Sequence, residues 1–285
     1  MELRHFNLLL ILSFLWGGSF YFIEKSLLFF SFEQIVFLRV FFAALTLYLF
    51  LILKKVRFDF SWKLWLSFLV MGILNNVIPF LAFAYAQEGI TASLASLFNA
   101  TTPIFVAALA HLFTKDEKLT KLKVVAITIG FLGIVFLLNP QEEMSLDSYK
   151  LIALIAPVSY AIAGIFGKIL KTHDPIFSAF GMLTCSSVVM YLFFHQNIHA
   201  VGINSFENMS DIVYLAIFST AIAYIIFFKL LATLGATKVL LVTFLIPISA
   251  SLLGVLLLDE SFTSNMYLGM LTVFGALFLI IKDKK

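Results

Sequence analysis

Several polar side chains stand where chemistry in a lipid setting would need them. Asn75 and Asn76 lie inside an apolar stretch, where an amide facing lipid is costly, so they turn toward protein or a wet cavity. An interhelical hydrogen bond would satisfy the same constraint. Pro103 and Pro247, also within apolar stretches, each remove a backbone N–H and free the carbonyl four residues earlier, at Asn99 and Thr243. With the side chains of Asn99, Thr102 and Thr243 beside them, these carbonyls form either an acceptor site for an ammonium or hydroxyl or a hinge whose kink a neighbouring Ser or Thr satisfies. Trp16, Tyr21, Tyr85, Tyr160 and Tyr224 would give aromatic walls with polar tips; packing or an interfacial belt is the alternative for each ring in a chain with 34 Phe.

Arg39 lies a turn and a half inside an apolar stretch. It either snorkels to the interface, pairs with Glu33 or Glu24, or offers a counter-charge to a carboxylate from outside the chain. His111, near the end of a stretch, is a proton-relay candidate or a plain interfacial residue. These are binding groups rather than catalytic ones. No carboxylate falls near the centre of an apolar stretch, and no Walker sequence, zincin helix or Ser/Lys dyad is recognisable, so an enzyme is not expected. A single cysteine, Cys185, excludes an intrachain disulfide and a Cys-cluster metal site, and no metal or cofactor is expected.

The elements that must carry these groups follow from composition. Of 285 residues 62% are hydrophobic and only 12% charged, against roughly a quarter charged in soluble domains, so lipid is the solvent. The net charge of +3 is spread in short groups without an aromatic-interleaved basic face, which argues against nucleic acid. About 20 apolar residues cross the hydrocarbon core, and each crossing must satisfy its own backbone. Ten stretches meet that requirement: 6–23, 33–53, 64–86, 91–113, 121–138, 151–169, 176–194, 212–231, 239–258 and 266–281. Long uninterrupted apolar runs exclude a barrel, so the expected fold is an all-helical integral membrane protein. The first stretch follows Arg4 and His5 but offers no cleavage site of small residues, and is read as a span rather than a signal peptide.

Counting Lys and Arg in the connections places sixteen on one side of the membrane and only Lys25 and Lys150 on the other, with Arg39 inside a span. The basic side is the cytoplasmic one, so both termini are expected in the cytoplasm of a multi-pass protein.

The chain also resembles itself at a shift of about 144 residues. Thr101-Thr102-Pro103-Ile104 matches Leu245-Ile246-Pro247-Ile248, Asp116-Glu117-Lys118-Leu119-Thr120 matches Asp259-Glu260-Ser261-Phe262-Thr263, and Leu15-Trp16-Gly17 lines up with Ser159-Tyr160-Ala161. Halves at 1–145 and 146–285 would each hold five crossings. An odd number turns the second half over relative to the first, and inverted repeats of this kind belong to carriers that open alternately to either side.

The segments Leu15-Trp16-Gly17-Gly18-Ser19-Phe20, Phe37-Leu38-Arg39-Val40-Phe41-Phe42-Ala43-Ala44 and Tyr85-Ala86-Gln87-Glu88-Gly89-Ile90-Thr91-Ala92-Ser93-Leu94, in this order, resemble the drug/metabolite transporter superfamily, in its ten-helix branch with two EamA-type repeats. That resemblance implies a basket of helices around a central cavity, with the fifth and tenth spans peripheral. It also implies a bacterial inner-membrane protein that exports small organic solutes, often amino acids. Partners would be a small-molecule substrate and the lipid bilayer, with the chain a monomer or homodimer. The alternatives are an obligate exchanger of phosphorylated or nucleotide-linked metabolites, for which only Arg39, Lys229 and Lys238 would supply cationic cavity groups, and a non-transport scaffold. A cysteine replacing Lys118 and one replacing Ser261 should react with an impermeant thiol reagent in intact cells from opposite sides: Ser261→Cys labelled from outside, Lys118→Cys protected until the membrane is opened.

Overall fold

Apolar sequence in lipid leaves the backbone one economical solution, and the computed structural model takes it throughout. It describes residues 3–114, 119–138, 147–170, 173–198, 209–257 and 264–282, and these are all-helical. Ten helices follow in order: α1 (Leu3–Ser26), α2 (Phe32–Leu53), α3 (Trp62–Ala86), α4 (Ala92–Phe113), α5 (Lys121–Leu138), α6 (Ser148–Phe166), α7 (Pro175–Ile198), α8 (Met209–Leu234), α9 (236–257) and α10 (Ser264–Lys282). Every expected boundary lies within four residues of the observed one. Eight of the ten are long and apolar enough to cross a membrane, α10 contains a shorter apolar helix, and α5 is 18 residues long. Asp116 to Lys118 and Asp259 to Thr263, matched above, lie outside the described residues.

Local chemistry sets the ends. Ser31 and Gln34 form a reciprocal capping box at the start of α2. Thr91 caps α4 by accepting from Leu94 N, while Glu24 Oε2 accepts from Ala92 N at 2.8 Å. Asp147 caps α6, accepting from Lys150 N at 3.0 Å, and its other oxygen lies 3.0 Å from Lys150 Nζ. The backbone bond first, then the side-chain bond, hold this carboxyl below the usual carboxylate range. Lys150 thus brings its own counter-charge to the lysine-poor side. Gly235 alone joins α8 to α9, at φ 80°, where a side chain would strain the backbone.

The two halves interleave. α2 packs on α7 and α5 on α10; α1 on α9 is answered by α4 on α6, and α3 on α7 by α2 on α8. Exchanging each helix for the one five places along reproduces every one of these pairs, which is the pattern of a two-fold relation. With five crossings a half, the axis lies in the membrane plane.

Small residues allow the close approaches. At α1 and α9 a methyl added to Gly17 would sit 2.9 Å from Ser249 Cβ, and the hydroxyls of Ser13 and Ser249 hydrogen-bond at 2.8 Å. Between α5 and α10, a methyl on Gly269 would meet Leu137 Cβ at 2.5 Å and Gly133 O at 2.7 Å. Gly275, also on α10, has open space beside it. Large apolar side chains such as Leu49, Leu132, Phe193 and Phe278 stay exposed on the outside, where lipid meets them. Gly269→Leu should therefore lower thermal stability in detergent by about 1–3 kcal/mol, the usual cost of overpacking, whereas Gly275→Ala should leave it unchanged.

Candidate functional site

The polar groups at mid-depth are held by interruptions in the helices, and each interruption has a local cause. α3 winds as a π-helix over Ile73–Val77. Pro79 lacks the N–H that would bond the Asn75 carbonyl, and the Tyr224 hydroxyl on α8 donates to that carbonyl at 3.0 Å and contacts Asn76 Oδ1 at 2.6 Å. Asn76 Nδ2 in turn donates to Ser186 Oγ on α7 at 2.8 Å. α8 is π-helical over Tyr214–Ile222, where Thr220 Oγ1 donates to Leu215 O at 2.6 Å. α4 breaks at Ala100 and Thr101, just ahead of Pro103, and α9 breaks at Leu241, so that Pro247 sits within a helix.

These distortions surround a cavity of about 50 Å³, room for about three to five waters. Trp16, Ser19, Phe20 and Ile23 of α1 line it at helical spacing, joined by Arg39 of α2 and Asn75, Phe80 and Phe83 of α3. Asn99 of α4, Tyr160 of α6, Tyr224 and Phe227 of α8, and Leu240, Thr243 and Ile246 of α9 complete the wall. The fifth, seventh and tenth helices take no part. Four pairs of lining residues are related by a shift of 144: Trp16 with Tyr160, Phe80 with Tyr224, Phe83 with Phe227, and Asn99 with Thr243. The site is the same wall built twice.

Arg39 breaks the repetition, for the shifted position is the core residue Leu183. Only 4% exposed, Arg39 is buried two turns into α2 and does not snorkel. Nor does it pair with an acid: Glu24 is engaged with Ala92 N, and Glu33 Oε1 accepts from Asn197 Nδ2 at 2.7 Å. Its guanidinium carbon lies 3.8 Å from the centre of the Phe80 ring. Nε donates to Thr220 Oγ1 at 2.7 Å, and Nη2 reaches Ser219 Oγ at 3.5 Å. Placing an arginine at membrane depth costs roughly 2.5–3.5 kcal/mol. A desolvated cation–π contact of about 2 kcal/mol and a charged hydrogen bond of about 1.5–3 kcal/mol offset that.

Of the residues singled out from sequence, Trp16, Asn75, Asn99, Tyr160, Tyr224, Thr243 and Arg39 meet in one cavity. The others do not line it. Tyr21 falls off the face that carries Trp16, Phe20 and Ile23 and lies against Phe22, under Lys25 Nζ. Tyr85 stands two residues past Phe83, on another face, and packs with Phe32 and Tyr149. Asn76 supports the wall from behind through Tyr224 and Ser186. Thr102 Oγ1 donates to Asn99 O at 2.6 Å, so the carbonyl freed by Pro103 is satisfied inside the helix and is no acceptor site. Lys229 and Lys238 are exposed and outside the cavity, and Arg39 is the one cation among its lining residues. His111 Nδ1 accepts from Leu119 N near the end of α4, an interfacial position.

Ser219, Thr220 and Pro79 were not anticipated. The 144-residue shift carries Asn75-Asn76 onto Ser219-Thr220, and the proline rule applied to Pro79 points to the Asn75 carbonyl; both signals lay in the chain.

Ten apolar helices, seven of which line a cavity shared by two halves, define a polytopic membrane protein. The EamA-like transporter family model matches residues 6–139 and again 148–282, and the chain belongs to that family. It is a membrane transporter of the EamA type and not an enzyme. It is 28% identical over 271 residues to a transporter of Archaeoglobus fulgidus, covering 94% of this chain and 95% of that one. To a protein of Escherichia coli (strain K12) named a probable amino-acid metabolite efflux pump it is 26% identical over 220 residues, 71% of this chain and 73% of the other. A solved crystal structure superposes with a TM-score of 0.75 at 15% identity, covering 98% of this chain and 97% of its own, a likeness of fold.

Tyr224→Phe should strand the Asn75 carbonyl and Asn76 Oδ1 and lower thermal stability in detergent by about 1–3 kcal/mol. Tyr21→Phe, outside the cavity, should leave the melting point where it was.

Proposed function

We propose that the protein is a secondary carrier that exports a small organic metabolite, an amino acid or related amphipathic solute, across the cytoplasmic membrane by alternating access. The halves 1–145 and 146–285 are the moving bodies, and both termini lie in the cytoplasm. The observation that carries this reading is the cavity wall built twice, from Trp16 and Tyr160, Phe80 and Tyr224, Phe83 and Phe227, and Asn99 and Thr243. A site on a two-fold axis presents equivalent walls to either side when the two halves exchange conformations. The excess of lysine and arginine on one side supports the orientation. The name of the Escherichia coli relative supports the solute class and the direction. Lining groups come from one chain, so a monomer or a homodimer with a site in each subunit both fit.

Purified protein in liposomes should show saturable flux of such a solute, accelerated by the same solute loaded on the far side. Flux that rises linearly with concentration and ignores the trans side would identify a channel instead.

A further inference from the structure

The connection between α2 and α3, residues 54–61, gathers charged side chains that lack a protein partner, and it lies apart from the chamber, since none of its residues lines that cavity. From Lys54 to Lys63 there are four bases and a single acid. The other connections described throughout, 27–31, 87–91 and Gly235, hold no lysine or arginine. Lys54, Lys55 and Arg57 are exposed and find no partner among the described residues. The acid is engaged locally, for Asp59 Oδ1 accepts from Ser61 N at 2.8 Å. Aromatic contacts make the connection a fixed platform. Phe58 sets its edge against Phe177 and Phe180 of α7, with ring centres 5.6 and 5.8 Å away. Phe60 stacks on Trp65, and Trp65 Nε1 donates to Asp59 O at 3.0 Å. Beside the charges three large apolar side chains turn outward: Leu53, Phe60 and Trp62 are 78, 76 and 69% exposed. Lys63 Nζ lies 5.9 Å from the centre of the Trp62 ring.

Topology accounts for an excess of charge on one side of the membrane and for nothing else here. It asks neither for a clamped loop nor for exposed rings among the charges. Nor does it ask for the backbone of Lys55. α2 ends in a Schellman turn, with Val56 N bonded to Leu51 O at 3.1 Å and Lys55 N to Ile52 O at 3.0 Å. Lys55 occupies the left-handed position of that turn, at φ 51°, where glycine would escape the steric cost that a lysine bears. We infer that residues 53–63 form a binding surface for an anionic phospholipid of the leaflet in which α2 and α3 end. The phosphate and the charged headgroup meet Lys54, Lys55 and Arg57, while Leu53, Phe60 and Trp62 reach the level of the glycerol and the first methylenes. Two spans end at this connection, which sets it at headgroup depth. Because the platform is already ordered, little entropy is lost when the lipid docks.

The chain's three tryptophans provide the readout. Trp16 lies in the chamber wall, and Trp62 and Trp65 lie at the connection, so Trp16→Phe leaves fluorescence that reports on the loop. The full-length protein is reconstituted in phosphatidylcholine vesicles that contain, at equal mole fraction, either phosphatidylglycerol or phosphatidylcholine brominated on one acyl chain. Brominated phosphatidylglycerol should quench as if enriched roughly fivefold around the loop. The same difference should appear in the wild-type protein, diluted by Trp16, so a variant that fails to fold does not shelter the proposal. Lys54→Gln/Lys55→Gln/Arg57→Gln should bring the enrichment close to one, and molar sodium chloride should shrink it. Lys121→Gln, at the start of α5, should leave it unchanged. Lys55→Gly should lower the enrichment without lowering the melting temperature in neutral detergent, a split that a purely structural lysine would not give. Equal quenching by the two lipids would overturn the assignment, as would an enrichment that survives the triple substitution. So would one that Lys121→Gln reduces as much as Arg57→Gln does, which would mark general surface charge. Loss of the enrichment in millimolar inorganic phosphate would mark a site for a free anion and overturn it too.

Discussion

Every polar group inside the bilayer has to be satisfied by the protein itself, and this requirement organises the molecule. It makes the chain helical, and it decides what happens where the helices are interrupted. The carbonyl that Pro79 orphans at Asn75 is met by Tyr224, and the one that Pro103 orphans at Asn99 is met by Thr102. The first solution reaches across two halves and helps shape a chamber; the second is local and shapes only a bend. The same physics therefore yields a site in one place and scaffold in another, and the distinction lies in how far away the compensating donor is.

Duplication explains why the chamber exists at all. Two five-helix sets related by an axis through mid-depth contribute matching faces to it. Where the repeat is kept, in the ring positions and in Asn99 and Thr243, it makes the wall. Where it is broken, at Arg39 against Leu183, it sets a single cation in that wall. The buried cation is tolerated because Phe80 and the hydroxyls on the distorted part of α8 take up much of its cost.

The spans and the repeat were legible in the chain because both are patterns of many residues, and the hydropathy of a crossing tolerates little variation. Trp16, Asn75, Asn99, Tyr160, Tyr224 and Thr243 were legible as polar or amphipathic groups at mid-depth. Tyr21 and Tyr85 were not separable from them by residue type, since what excludes them is rotation: five residues on from Trp16, or two on from Phe83, a side chain leaves the inner face. Ser219 and Thr220 escaped because short hydroxyls are commonplace in such helices, bonding their own backbone without drawing notice. The acid pairing that stood as one of three alternatives for Arg39 does not form because Glu24 and Glu33 are spent on a helix start and on Asn197, tasks that only the folded arrangement defines.

The single glycine between α8 and α9 has a mechanical consequence. Its counterpart in the first half is a five-residue connection, 87–91, between α3 and α4, folded as a hydrogen-bonded turn. Gly235 offers no slack. In the proposed exchange of conformations a tilt of α8 would reach α9 through this single residue, up to the break at Leu241. Two halves with the same architecture thus differ in how closely their third and fourth helices are joined.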